Sequence, residues 1–527
     1  MQASGKTVTI ILFGYLAAGL FLLLNNPAPL GSDMFSYYSI ARQYSKGDFY
    51  HAINGYWPPL ISWMLTIFFK LGVFWKALQI LNLLGGFLLV WYSIKIAELL
   101  KLSFLAKILL TLLNAVLALA FQLDSSTPDF LSAVCLVGFV FHYYKQQLLP
   151  TSYGWIQASV TALLLIFCKI FYFYFVIIFL LADGLFEYVK DKDRSWNGIK
   201  NKTLFKQLVL IVGVYFVWVI ILSVKYERFV FSATGSYNST IGTPQGNTLQ
   251  YYTYSGLVKP KGELSLGNED PTYANIETRK PFESKEAFQY QLQVWAYNFK
   301  ILSYLFSYFS YFKWLILLIP LGLLFFGNFP ERTVAIKIFL MGLLILFGYF
   351  LVFYEDRYAI PVIFCFVFTS FYFFDKIDFF RYTIVNIILV IIPFLAFGKD
   401  TIDAVRVWQS HRTSYEETMR ASQKLIRSHL FENKNIANAS DAFGGTYPTM
   451  LALETSGHYY GELGIYHTHE ANWEELKKYK IDYLFYFGCA KIDDQGQCLE
   501  QTLPFYLKDK QIVYTDHAAK LFVYKLF

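Results

Sequence analysis

The sequence predicts an α-helical membrane protein of about eleven spans with an α/β domain at its C-terminal end. Of its 527 residues, 56% are hydrophobic and only 16% are charged, whereas soluble domains carry about 25% charged residues. The mean hydropathy is +0.39. The apolar residues form runs long enough to cross a bilayer, separated by short polar or basic stretches. The net charge of +7 lies mainly in those stretches, which indicates membrane topology rather than nucleic-acid binding.

The apolar runs define the predicted spans. They lie at residues 8–24, 75–94, 104–122, 129–144, 154–168, 170–188, 207–224, 303–327, 334–353, 358–374 and 382–398. The first run could be a signal peptide, but the NNPAPL after it has no small-x-small cleavage site, so we predict a retained span. The run at 57–70 is short and opens with Pro58 and Pro59. We predict a helix on or dipping into the outer face there; if it spans instead, every downstream segment inverts.

Lysine and arginine are concentrated in alternate loops, which predicts the orientation of the chain. With the N-terminus inside, the inner segments hold Lys6, Lys95, Lys101, Lys107, Lys145, Lys190, Lys192, Arg194, Lys200, Lys202, Lys206, Arg332, Lys337, Lys376 and Arg381. The short outer loops hold only Lys169 and Arg357. The loops 25–74 and 225–302 and the C-terminal tail are then predicted to lie outside.

The tail, residues 399–527, is predicted to form a small extracytoplasmic α/β domain after a transmembrane domain of residues 1–398. Alternating helical and strand-like patterns favour a layered sheet. The helical patterns lie at 415–430 and 472–480, and the strand-like runs at 436–440, 482–487, 511–514 and 520–526. An oxidising outer compartment allows a disulfide, and we predict one between Cys489 and Cys498.

The first outer loop holds a candidate for acid–base chemistry. Asp33 stands at the start of an amphipathic pattern, SDMFSYYSIARQYSK, of the kind that lies at a membrane face. One interpretation is that Asp33, or Ser32, is an N-cap. The other is that Asp33 is a general base beside a cleft. Asp129 follows Pro128 where a cap is also expected, and it lies on the same predicted face.

Two cations depart from the charge pattern of the chain. Lys169 interrupts the apolar run LLLIFCKIFYFYF, and Arg357 lies in YEDRYAIP at a span start. A cation at membrane depth is costly and usually marks a site or a paired charge. Both suit an anionic headgroup such as a lipid phosphate. The alternatives are an ion pair of Arg357 with Glu355 or Asp356, and snorkelling of Lys169 into the interface.

Aromatic residues and a histidine lie between the amphipathic pattern and the proline pair. His51, Tyr56 and Trp57 are candidate substrate contacts, although Tyr and Trp are also common interface anchors. The chain has no Walker A loop, no GxGxxG ahead of a helix and no HExxH. We therefore predict no nucleotide cofactor.

Several segments together resemble the GT-C class of membrane glycosyltransferases, which includes protein O-mannosyltransferases and the aminoarabinose transferase acting on lipid A. The resemblance begins with one span and an outer-loop aspartate that opens an amphipathic helix, SDMFSYYSIARQYSKGDFYHA. The segments WPPLISWMLTIFFKLG, STPDFLSA, FCK and DRYAIP follow in that order. The likeness covers the layout of most of residues 1–400.

The resemblance implies a transferase that uses a polyprenyl-phosphate sugar as donor. Asp33 would deprotonate an acceptor hydroxyl, which attacks the anomeric carbon with inversion. Lys169 and Arg357 would stabilise the departing lipid phosphate, and Asp129 would either support a neighbouring site residue or orient the acceptor. The acceptor would be a glycan, a lipid or a protein.

The resemblance also implies the location and the cofactor requirement. The expected place is a bacterial inner membrane, with the active site on the periplasmic side. Many relatives carry a second acidic residue beside the loop aspartate, whereas here Ser32 and Met34 flank Asp33. We therefore predict no metal and no cofactor. The alternative functions are a flippase or transporter, and a polymerase or ligase of lipid-linked glycans; the absence of an internal repeat argues against a transporter.

Overall fold

The computed structural model describes most of the chain. The described residues are 5–28, 31–190, 199–235, 238, 256–274, 282–308, 318–319, 321–322, 330–352, 354–376, 383–439, 446–464, 467–487, 504–516 and 521–527. The predicted disulfide partners Cys489 and Cys498 lie outside them, as does most of the predicted span 303–327.

Helices dominate the described residues. They are α1 (Gly5–Asn25), α2 (Ser32–Lys46), α3 (Phe49–Ala52), α4 (Pro59–Lys70), α5 (Ala77–Leu99), α6 (Phe104–Asp124), α7 (Asp129–Leu148), α8 (Gly154–Cys168), α9 (Phe171–Lys190), α10 (Ile199–Lys225), α11 (Leu266–Glu269), α12 (Lys285–Tyr308), α13 (Pro330–Gly348), α14 (Ile360–Lys376), α15 (Thr383–Arg427), α16 (Thr446–Thr455) and α17 (His469–Lys478). Short 3₁₀ turns lie at Pro271–Ala274, Tyr349–Leu351, Asp356–Ala359 and Phe505–Leu507.

The predicted helical membrane architecture is confirmed. Among the described residues, seven helices are long and apolar enough to cross a membrane. They are Lys6–Asn25, Ala77–Leu99, Phe104–Gln122, Phe171–Val189, Thr203–Lys225, Glu331–Leu351 and Arg357–Lys376. The predicted spans 129–144 and 154–168 also form helices, α7 and α8, which are not among those seven. The run at 57–70 forms the 12-residue helix α4, which has buried residues along its first turns.

The last predicted span is part of a much longer helix. Nearly all of the predicted span 382–398 and most of the predicted tail helix 415–430 belong to α15, which runs from Thr383 to Arg427, has 45 residues and includes Pro393. The predicted domain boundary after residue 398 therefore lies inside a helix. The sequence pattern concealed this continuity because the apolar run gives way to the polar stretch GKDTIDAVR at residue 398.

Polar contacts tie the helix ends together at both ends of the bundle. At one end, Lys101 pairs with Glu331 at 2.6 Å, and Lys376 Nζ donates to the Lys101 carbonyl at 2.7 Å. Helix α14 runs from Lys376 back to the turn that contains Arg357. Arg357 contacts Asp33 at 2.6 Å, so these two sets of charges lie at opposite ends of the bundle.

The tail contains a five-stranded mixed sheet of order β2-β1-β3-β5-β4. Its strands are β1 (Asn435–Asn438), β2 (His458–Glu462), β3 (Tyr483–Phe487), β4 (Gln511–Asp516) and β5 (Leu521–Lys525). β1 pairs in parallel with β2 and β3, whereas β3–β5 and β4–β5 are antiparallel. The predicted α/β character is confirmed. Helix α16 and edge strand β2 were not predicted.

The tail packs directly on the amphipathic helix α2. Met450 and Leu453 of α16 share one buried apolar cluster with Tyr38 of α2. Next to them, the guanidinium of Arg42 donates to the Ser456 hydroxyl at 3.1 Å. Helix α2 is therefore held between the membrane helices and the tail.

Helices α1 and α5 approach closely at a glycine. A Cβ added at Gly86 would lie 2.0 Å from the hydroxyl of Tyr15, which is buried and donates to the Leu83 carbonyl. We expect Gly86→Ala to force a shift and lower the free energy of unfolding by about 1–3 kcal/mol. Gly14→Ala is the matched control, because nothing lies within 4 Å of its Cβ. Thermal unfolding in detergent measures both, and equal midpoints would contradict the packing.

Candidate functional site

Asp33 lies in the first turn of α2, and its carboxylate contacts a cation rather than the helix end. The N-cap position is held by Gly31 in an extended conformation. Asp33 Oδ2 accepts a 2.6 Å hydrogen bond from Arg357 Nη1, across 324 positions of the sequence. An acidic group in the first turn also interacts favourably with the helix dipole. The carboxylate of Asp33 is thus fixed at one end of the bundle and is about one-fifth exposed.

Lys169 lies at the break between α8 and α9. Its backbone is extended and interrupts the helical path. Its ammonium group lies 2.6 Å from Asp129 Oδ1 and 3.7 Å from the ring centroid of Tyr358. Asp129 is only 1% exposed, and its other oxygen accepts from the Thr127 hydroxyl at 3.0 Å. Lys169 is therefore an ion-paired cation that also makes a cation–π contact.

Arg357 lies between the carboxylate of Asp33 and the buried pair of Asp129 and Lys169. Besides Asp33, it contacts Glu355 at 2.6 Å through Nε, and the same nitrogen lies 3.8 Å from Asp129 Oδ2. The alternative that Arg357 pairs with Glu355 is therefore observed together with the pairing to Asp33; the side chain of Asp356 lies outside the described residues. We call Asp33, Asp129, Lys169, Arg357 and Glu355 the charge cluster. Its three carboxylates outnumber its two cations.

Two tyrosines lie near enough to the charge cluster for the charge of Asp33 to act on their hydroxyls. Burial, followed by the negative charge of Asp33, raises the pKa of both Tyr37 and Tyr56 above the ordinary value. Both hydroxyls therefore stay protonated at neutral pH and can donate hydrogen bonds. The hydroxyl of Tyr56 donates to Asn238 at 3.2 Å.

The structure separates the three predicted substrate contacts. Tyr56 lies near the charge cluster, and Trp57 packs edge-on against Tyr37 with ring centroids 5.3 Å apart. His51 instead pairs with Asp48 at 2.8 Å and packs against Tyr50. The structure therefore does not bring His51 to the charge cluster.

Two members of the site were not predicted as site residues. Glu355 was considered only as a partner of Arg357, although its side chain is 53% exposed and is the most open carboxylate of the charge cluster. Tyr37 was considered only as part of an apolar stripe. Its position four residues after Asp33, on the same face of α2, is the sequence signal that could have identified it.

The Asp129–Lys169 pair should be essential for stability. Lys169→Met leaves a buried carboxylate without its cation, so we expect a loss of about 3–5 kcal/mol in the free energy of unfolding. Adding Asp129→Asn should recover part of that loss. Lys95→Met, which removes the exposed pair with Glu98, is the control and should cost less than about 1 kcal/mol. Denaturant unfolding that gives the same loss for both lysines would contradict the burial of the pair.

Comparisons with known proteins identify the fold. No family model and no curated protein matches the chain at the sequence level. Among solved structures, the chain resembles the crystal structure of ArnT from Cupriavidus metallidurans bound to undecaprenyl phosphate. The TM-score is 0.53 at 13% identity, and the match covers 98% of each chain. The chain is an integral membrane protein with the fold of the GT-C glycosyltransferases.

Proposed function

We propose that this protein is a glycosyltransferase that moves a sugar from a polyprenyl-phosphate donor to an acceptor hydroxyl. The proposal rests on the contact between Asp33 of α2 and Arg357 ahead of α14. Asp129 links this pair to Lys169, because its two oxygens lie 3.8 Å from Arg357 and 2.6 Å from Lys169. A carboxylate and two cations that share a second carboxylate, at one end of a helical bundle, support a site for a phosphate leaving group. The similar ArnT structure was solved with undecaprenyl phosphate, which supports a donor of the same chemical class.

The reaction follows from these groups. Asp33 accepts the proton of the acceptor hydroxyl, whose oxygen forms a bond to the anomeric carbon of the sugar. The bond between that carbon and the phosphate oxygen breaks, and the electron pair leaves with the lipid phosphate. Attack opposite the leaving group inverts the configuration. Arg357 and Lys169 stabilise the charge that develops on the phosphate.

A donor phosphate must compete with carboxylates for the cations. Arg357 contacts both Asp33 and Glu355, so a bound phosphate takes over part of that pairing. This exchange frees an oxygen of Asp33 for the acceptor proton while the phosphate gains a charge-assisted hydrogen bond. Asp129 remains buried against Lys169 and holds that cation in place.

The proposed function includes the membrane side of the active site, the class of acceptor and the metal requirement. The Lys and Arg distribution favours an active site on the periplasmic side of a bacterial inner membrane. The acceptor is a glycan, a lipid or a protein. The two cations supply the positive charge for the leaving phosphate, and we propose that transfer needs no divalent metal. A chelator should then leave the rate unchanged.

The base is tested by Asp33→Asn. The amide keeps the size of the side chain and its hydrogen bond to Arg357, but it cannot take a proton, so transfer should fall by about 10²- to 10⁴-fold. The assay follows radiolabel from a monosaccharyl-phosphate lipid to acceptor. Asp48→Asn, at an exposed carboxylate paired with His51, is the matched control. Full activity of a folded Asp33→Asn protein would exclude the role of base.

The phosphate role is tested by Arg357→Gln. Loss of this cation should lower kcat by about 10²- to 10³-fold, and salt should no longer affect donor binding as strongly. Arg412→Gln removes another arginine–carboxylate pair, on α15, and should leave transfer unchanged. Unchanged kinetics in Arg357→Gln would remove the phosphate role. If the wild-type protein transfers no sugar but moves lipid-linked glycan across vesicles, the flippase alternative is correct.

A further inference from the structure

A second buried ion pair lies outside the charge cluster, at the end of α10. Lys225 and Asp270 are 3.1 Å apart, and their side chains are 3% and 4% exposed. A buried ion pair is costly unless further hydrogen bonds satisfy both groups. Nothing in the proposed reaction uses either residue, so the partners of the pair indicate what it does.

The partners of Lys225 are backbone atoms near the site. Its ammonium group donates to the carbonyls of His51 and Ile53. The neighbouring hydroxyl of Tyr226 donates to Asp270 at 2.6 Å and accepts from the Gly55 amide at 3.1 Å. The pair therefore holds the chain on both sides of residue 54.

The segment held in this way is residues 53–57, which we call the 53–57 loop. Inside it, the Asn54 side-chain oxygen accepts from the amides of Tyr56 and Trp57, each at 2.9 Å. The Asn54 side chain also donates to the Glu269 carbonyl at 2.7 Å. The loop thus has a defined backbone path that ends at Tyr56 and Trp57.

The fit around this loop is tight. A Cβ at Gly55 would lie 2.8 Å from the hydroxyl of Thr272, on the segment that follows Asp270. The Gly55 carbonyl accepts from the Ala233 amide at 2.8 Å. A displacement of the end of α10 or of Asp270 would therefore move the loop with it.

We propose that Lys225, held by Asp270, is a positioning residue that sets the 53–57 loop, and with it Tyr56 and Trp57, against the charge cluster. The proposal rests on the proposed function for its effect on transfer, but the positioning itself is a property of the protein without substrate. Transfer requires the reacting atoms to be closely aligned, and misplacing them by about 1 Å lowers the rate roughly 100-fold.

Hydrogen–deuterium exchange of the full chain in detergent tests the positioning without any donor. In Lys225→Met, the amides of residues 53–57 should exchange at least about tenfold faster, while those of α7 and of the tail sheet stay protected. Tyr226→Phe removes one hydroxyl from the same network and should loosen the loop in the same direction by a smaller factor. In the transfer assay, Lys225→Met should lower kcat by about 100-fold.

Lys46→Met is the matched control. Lys46 is an exposed lysine that pairs with Glu263 in the segment leading to Asp270, and its loss should change neither exchange of the loop nor kcat. Wild-type exchange of residues 53–57 in Lys225→Met would overturn the proposal, as would equal loosening in Lys46→Met. If Lys225→Met does not fold, Tyr226→Phe decides in the same way. A loosened loop in a protein that transfers no sugar supports the positioning and contradicts only the proposed function.

Discussion

The neutralisation of two cations at one end of an apolar bundle is the constraint on which the site depends. Lys169 and Arg357 lie where charge is costly, and each is matched by a carboxylate from a different part of the chain. The contact of Arg357 with Asp33 closes a sequence separation of 324 residues. Glu355 is a local partner of Arg357, but Lys169 reaches Asp129 only when α7 packs beside the break after α8, and Arg357 reaches Asp33 only when α2 meets the turn ahead of α14. Assembly of the bundle therefore also assembles the site.

The same pairing means that the protein's own carboxylates orient the cations of the site. Its cations are already aligned by carboxylates, so a lipid phosphate would replace existing contacts instead of organising new ones. Preorganised charges of this kind need little rearrangement as charge develops during a reaction.

The sequence identifies the unusual charged residues of the site, but it does not show which of them pair with each other. Hydropathy separates the helices, and the positive-inside pattern makes Lys169 and Arg357 stand out as exceptions. Composition cannot reveal that Arg357 meets Asp33, because no local periodicity links residues so far apart. Lys225 was missed for a related reason: a lysine that ends an apolar run is the ordinary flank of a span, and only its buried contact with Asp270 distinguishes it. Strand β2 was missed because HYYGE is short and has a glycine as its fourth residue.

Helix α15 sets the angle at which the tail is turned about the helix axis. Its 45 residues rise about 1.5 Å each and turn by about 100° each, so the orientation of the tail is linked to the number of residues in this helix. One inserted residue beyond Pro393 would swing the α16 surface by more than a quarter turn away from α2. Seven inserted residues, about two turns, would restore the angle but lift the tail by roughly 10 Å. The length of α15 therefore determines whether α16 can meet α2.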